Sequence, residues 1–189
     1  GLTPTFVNAW LYGERKWMFG SLTAPDAKTR KNALSAIFEM IDFTRKIHGI
    51  GINLWLGQDG FDYTFQTDYR AQWGYLVSAL KEICDYAADM KVALEPKARE
   101  PRNFLLVDSV STGLLFCMES NKDNLGLTVD MGHVMYGRQN IAQSLDIAMK
   151  YKRLFNVHVN DNYANWDDDM IVGSVHLIEL LEAVCFLKK

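Results

Sequence analysis

Short apolar runs alternate along this chain with longer segments in which apolar positions recur every three or four residues. The short runs are Thr5 to Trp10, Ile50 to Leu56, Lys91 to Glu95, Gly126 to Met131 and Leu154 to Asn160, and each predicts a strand. Between them, Asp26 to His48 places Ala33, Ile37, Met40, Ile41 and Ile47 close to helical period. Asp68 to Met90 does the same with Trp73, Leu76, Val77, Leu80, Ile83 and Cys84. Further helices are predicted over Leu105 to Glu119, Asn140 to Tyr151 and Ser174 to Leu187. Asp26 after Pro25, and Ser174 after Gly173, are residue types that cap a helix N-terminus. Strand–helix alternation predicts an α/β fold with parallel strands and right-handed crossovers. No linker or low-complexity tract divides residues 1–189, so a single domain is expected.

Five strand–helix units are too few for a closed (β/α)8 barrel, which takes about 250 residues. An open doubly wound sheet could close at this length. It would carry a glycine-rich phosphate turn after a strand, and Gly57-Gln58-Asp59-Gly60 matches that pattern poorly. Polar residues gather instead at the ends of several strands, as they do in barrel active sites. The expectation is therefore a partial (β/α)8 TIM barrel, incomplete at both ends. Its remaining strands would come from flanking residues, and a first residue that is glycine fits a native start further upstream.

Composition narrows the classes without choosing among them. With 49% hydrophobic and 23% charged residues the chain reads as an ordinary globular protein. A net charge of −3 gives no basic face for nucleic acid. No run approaches the roughly 18 apolar residues of a membrane span. Cys84, Cys117 and Cys185 are odd in number, far apart and in predicted helices. They predict reduced thiols in a cytoplasmic protein, with no metal-binding spacing.

The strand ends carry the chemistry. Glu95 and Lys97 follow the apolar Val92-Ala93-Leu94; Asp130, His133 and His158 sit at or just past the next two strand ends; Asp167 and Asp169 come soon after. Singly, each has an ordinary explanation. Glu95 could end a strand and ion-pair with Lys97 or Arg99, His133 could be a hydrogen-bonded loop histidine, and Asp167-Asp168-Asp169 could be a solvated acidic turn. Their joint arrival at one end of successive strands favours a divalent-metal site. Asp130 and His133 are three apart across a turn containing Gly132, and Asp167 and Asp169 would point the same way in an extended segment. Mixed carboxylate and imidazole donors suit Mn, Mg or Co, with Zn placed behind them.

These residues, with their surroundings, resemble the xylose isomerase-like TIM-barrel superfamily of aldose–ketose isomerases and ketose 3-epimerases. The similarity runs through Asn8-Ala9-Trp10, Leu54-Trp55-Leu56-Gly57, the segment from Glu95-Pro96-Lys97 to Glu100-Pro101-Arg102, Gly126 to His133, Phe155 to Asp161, and Trp166 to Gly173. It implies that the chain spans about the third to seventh βα units. It implies further that Glu95, Asp130 and His158 hold a structural, substrate-binding metal whose fourth, eighth-strand ligand has no counterpart here. His133, Asp167 and Asp169 would hold a second, catalytic metal. Lys97 would contact the carbonyl end of a sugar, with Glu95 and His133 completing the catalytic set. Trp10, Trp55 and Asn160 would bind substrate, although for the two tryptophans barrel packing is an ordinary alternative. His158 and Asp130 stand where classical xylose isomerases have aspartate and glutamate, a choice that resembles the rhamnose isomerase and epimerase branches.

The leading expectation is a two-metal aldose–ketose isomerase working by metal-assisted hydride shift. The alternatives are a single-metal epimerase or lyase-type enzyme acting through an enediolate, and a non-catalytic subunit or inactive fragment. Expected partners are a small sugar and either a second copy of the chain or further segments completing the barrel, with no nucleic acid and no membrane.

Overall fold

The computed structural model describes residues 2–188. In chain order its strands are β1 (Phe6–Asn8), β2 (Gly51–Trp55), β3 (Gly60–Phe61), β4 (Lys91–Glu95), β5 (Phe104–Leu105), β6 (Leu125–Asp130) and β7 (Leu154–His158). Its α-helices are α1 (Ala27–Lys46), α2 (Tyr69–Tyr86), α3 (Val110–Ser120), α4 (Met131–Tyr136), α5 (Ile141–Lys150) and α6 (Leu177–Leu187). The order β1-β2-β4-β6-β7, parallel throughout, curls into a half-barrel, the TIM-type architecture that the alternation predicts. The remaining two strands form a short antiparallel ribbon, Gly60–Phe61 against Phe104–Leu105, in the loops above the sheet.

The three inner strands are buried on both faces because helices cover one side and the barrel interior the other. Ile52, Leu54, Val92, Leu94, Leu125, Leu127 and Val129 are fully buried against Ile37 and Ile41 of α1, Leu76, Leu80 and Ile83 of α2, and Phe116 of α3. Helix starts are set by short polar side chains, as expected for Asp26. Asp26, Asp68, Ser109 and Asn140 each accept the amide three residues on, at 2.8–3.2 Å. Cys84 and Cys117 are buried free thiols, pushed up to about 12 chiefly by burial, and Cys185 is an exposed one.

The element ends differ from expectation in instructive places. The first strand is three residues rather than six, with a partner on one side only. The β6 strand stops at Asp130 because that carboxylate caps α4, accepting the His133 amide at 2.9 Å. The third long helix starts at Val110, since Leu105 is held in the ribbon. Ser174 does not cap the last helix. Asp161 does that work from fourteen and fifteen residues upstream, accepting the Val175 and His176 amides at 2.8 and 2.9 Å and His176 Nδ1 at 2.7 Å.

Loops above the sheet are stitched together on the β1–β4 side. The buried Asp59 carboxylate takes the amides of Ser21 and Thr23 at 3.0 and 2.7 Å, together with both hydroxyls. Arg102 reaches Asp62 at 2.6 Å, the Gln58 carbonyl at 3.4 Å and the Met18 carbonyl. Three connecting loops are thereby fixed around one end of the strands.

Candidate metal and substrate site

At that end, the C-terminal ends of the parallel strands, a cavity of about 260 Å³ is lined by Asn8, Ala9, Tyr12, Trp55, Glu95, Lys97, Asp130, His133, His158, Asp167 and Asp169. Glu95 is the last residue of β4, Asp130 of β6 and His158 of β7; register sets Asp130 opposite His158, and Glu95 joins them from the end of the neighbouring β4. His133 enters from the first turn of α4. Lys97 stands just beyond β4, its amide held by the Val107 carbonyl at 3.0 Å.

Distances show how tightly these groups converge. His158 Nδ1 lies 3.1 Å from Glu95 Oε1 and 3.5 Å from Asp130 Oδ2. His133 Nδ1 lies 3.5 Å from the same Glu95 oxygen, and its Nε2 is 3.2 Å from Asp167 Oδ2. Glu95, Asp130 and His133 offer ligand atoms within 4.8 Å of one another. The split expected from the resemblance, with His133 in a second metal set, is thus blurred: His133 and His158 both face Glu95.

Lys97 is buried, with its ammonium 2.8 Å from Asp167 Oδ2, 2.9 Å from Glu100 Oε2 and 5.1 Å from the Trp55 ring centroid. Burial would lower its pKa, but Asp167 and Glu100 outweigh this and raise it. Burial likewise opposes ionisation of Asp167, yet His133 and Lys97 hold its carboxyl down to about 2. Asp130 is lowered for a similar reason, burial being overcome by His158 and His133. The histidines are drawn the other way. His158 is pushed up to about 10 by Asp130 and Glu95, and His133 is raised, against its burial, by Asp167, Asp130 and Glu95.

This pattern tests whether a divalent cation belongs here. Several carboxylates share a low-dielectric pocket with one lysine, and the imidazoles supply the missing positive charge by holding protons. His133 Nδ1 and Asp167 Oδ1 are nonetheless buried without a hydrogen-bond partner among the described residues. A cation among Glu95, Asp130, His133 and His158 would supply both the charge and the absent partner, so the donor set fits one.

Not every expected site residue lines the cavity. Trp10 is half-exposed and packs on Tyr12, with centroids 4.3 Å apart, while Tyr12 itself packs on Trp55 at 4.4 Å and forms the wall. Asn160 bridges ligands instead of facing the cavity. Its Nδ2 donates to Asp130 Oδ2 at 3.2 Å and Asp169 Oδ1 at 2.9 Å, and its Oδ1 accepts the Gly132 amide at 2.7 Å. Asp167 and Asp169 both line the cavity but not as neighbours on an extended strand, because Asp169 adopts φ +49° and the two carboxylates find different partners. Sequence reasoning missed Asn8, Tyr12, Asn53, Glu100 and Thr128. For Asn53 and Thr128 the available signal was a polar residue inside an otherwise apolar central strand.

The family model for the xylose isomerase-like TIM barrel matches residues 8–181. The chain belongs to that family. Among curated relatives, the xylose isomerase of Thermus thermophilus is 27% identical over 97% of this chain and 50% of its own length. The xylose isomerase of Dinoroseobacter shibae is 25% identical over 90% of this chain and 41% of its own. The chain therefore spans about half the length of the curated relatives it matches. Among solved structures, a D-tagatose 3-epimerase-like protein superposes with a TM-score of 0.77 at 20% identity, covering 98% of this chain and 67% of that one. IOLI protein, solved with a bound zinc atom, gives 0.70 at 20% identity over 97% and 63%. Xylose isomerase-like proteins at this distance share the fold; what this member does rests on its own site.

Proposed function

We propose that this xylose isomerase-like chain holds a divalent cation on Glu95, Asp130, His133 and His158, and acts on a small sugar either as an isomerase, moving hydrogen between adjacent carbons, or as an epimerase, removing and returning a proton at one carbon. The observation that carries this reading is the meeting of four potential ligands from β4, β6, β7 and α4 in one cavity. A bound divalent ion supplies Lewis-acid polarisation of neighbouring substrate oxygens. Mn, Mg and Co suit the donor set, and the zinc atom in a neighbour of the same fold keeps zinc in view.

The chain's own groups do the rest. Lys97, kept charged by Asp167 and Glu100, offers a fixed positive charge for oxygen-centred charge on the substrate. In this reading Glu95 acts as the base that takes a proton from a substrate carbon and, for isomerisation, returns it to the adjacent carbon of the enediolate. Tyr12 and Trp55 present an aromatic wall that packs against the sugar and keeps water out. Because the histidines hold protons when no cation competes, cation affinity rises with pH.

One cation suffices for this arrangement, since Asp167 Oδ2 is already engaged by both Lys97 and His133. The two-cation, hydride-shift version is favoured by a different observation: Asp167 Oδ1, in the cavity that His133 and Asp169 also line, is buried without a partner among the described residues. Turnover in D2O separates them. Proton transfer through Glu95 predicts solvent deuterium at the reacting carbon. Product free of deuterium would overturn the one-cation route and leave the hydride shift.

A further inference from the structure

Beneath the ligands lies a second tier of polar side chains. Residues two positions earlier on each strand share the ligands' face. Under Trp55, Glu95, Asp130 and His158 stand Asn53, Ala93, Thr128 and Asn156. Register aligns Asn8, Asn53 and Ala93 across β1, β2 and β4, and Thr128 with Asn156 across β6 and β7. Asn53 is completely buried between Ile52 and Leu54. Its Nδ2 donates to Asn8 Oδ1 at 2.8 Å and to Glu95 Oε2, and its Oδ1 accepts the Thr128 hydroxyl at 2.6 Å. The small side chain of Ala93 leaves room for that last bond to cross β4.

Fold stability alone does not call for an amide here, since an apolar residue would suit a buried central strand at least as well. What the amide does is directional. Glu95 Oε2 is claimed from below, so Oε1 is the oxygen turned toward His158 and His133. The Asn156 carboxamide meets His158 Nε2 at 3.2 Å in the same manner, leaving Nδ1 facing Glu95 and Asp130.

We propose that Asn53 is a positioning residue for the cation site, selecting Glu95 Oε1 as the ligand atom, with Thr128 and Asn8 fixing the carboxamide in turn. This deepens the reading of Glu95 as a cation ligand and rests on it. Outer partners of this kind hold a ligand in its binding rotamer before the ion arrives, which removes an ordering penalty from binding.

The test is Mn2+ titration by calorimetry on the whole protein, with melting followed in parallel. Asn53→Leu, matched in branching and heavy-atom number, is expected to weaken Mn2+ binding about 10- to 100-fold. Thr128→Val frees the Asn53 oxygen without touching Glu95, and a loss of about 3- to 10-fold is expected, the worth of one hydrogen bond. Asn124→Ala removes an amide that serves only the Cys84 and Ala87 carbonyls at 2.9 Å and Met90 at 3.4 Å, so it should lower the melting temperature with Mn2+ affinity intact. Unchanged affinity in folded Asn53→Leu overturns the proposal; if that variant does not fold, unchanged affinity in Thr128→Val does so. A wild-type protein that binds no Mn2+ removes the cation reading itself, so the two failures are distinct.

Discussion

The two walls of the cavity are built differently. On the β2–β4–β6 side, Glu95, Lys97, Asp130 and His133 are all buried; Glu95 and Asp130 end strands hidden on both faces, Lys97 and His133 follow directly after those strands, and a hydrogen-bonded tier lies beneath. On the β7 side, every strand residue is only partly buried, the His158 side chain is 33% exposed, and Val159, Ile171 and Ile178 face outward. That wall is held by individual polar clamps: Asn160 across Asp130 and Asp169, and Asp161 at the head of α6. The difference teaches where preorganisation comes from. Core packing fixes the carboxylates before any ligand arrives, whereas His158 and the 159–176 segment depend on a few hydrogen bonds.

The largest effect should separate the walls by stability. Leu94→Ala, in the buried wall, is expected to lose about 2–5 kcal/mol through its cavity, whereas Val157→Ala on the edge should lose about 1 kcal/mol because neighbours can relax. Denaturant unfolding reads both, and equal losses would erase the contrast.

Next in size is the Asp161 clamp. Burial would raise its pKa, but the His176 and Val175 amides and the His176 ring hold it down to about 2. A carboxyl depressed in the folded state adds stability above its unfolded value near 3.8, and that stability drains as pH falls toward 2. Asp161→Asn should therefore destabilise the protein by about 2 kcal/mol at neutral pH, with the difference from wild type shrinking in acid. A difference that stays constant from pH 7 to 2 would remove the charge from the account.

The smallest effect concerns the aromatic wall. Tyr12→Ala should raise the sugar KM about 10-fold, the loss of one aromatic contact, while Trp10→Ala should shift it less than about 2-fold. A larger effect from Trp10 would restore it to the cavity.

Much of this was legible in the sequence because each signal was local. Apolar runs gave the five sheet strands, period gave five long helices, and Asp26 announced its cap. Other features needed contacts distant in sequence. Gly132 made the six-residue α4 read as a turn after the strand. The Asp161 cap lies too far from α6 to be found by spacing. Clustering of carboxylates and imidazoles at strand ends was visible, but their pairing was not, since it depends on which atoms the tier below leaves free.

The central claim is that the buried carboxylates and two imidazoles hold a divalent cation through Glu95. Calorimetric titration of the protein with Mn2+ at neutral pH, alongside Glu95→Gln, tests it most directly. The account predicts saturable binding with proton release in the wild type, weakened more than about 100-fold in Glu95→Gln. Binding of equal strength in the two proteins, or none in the wild type, would contradict it.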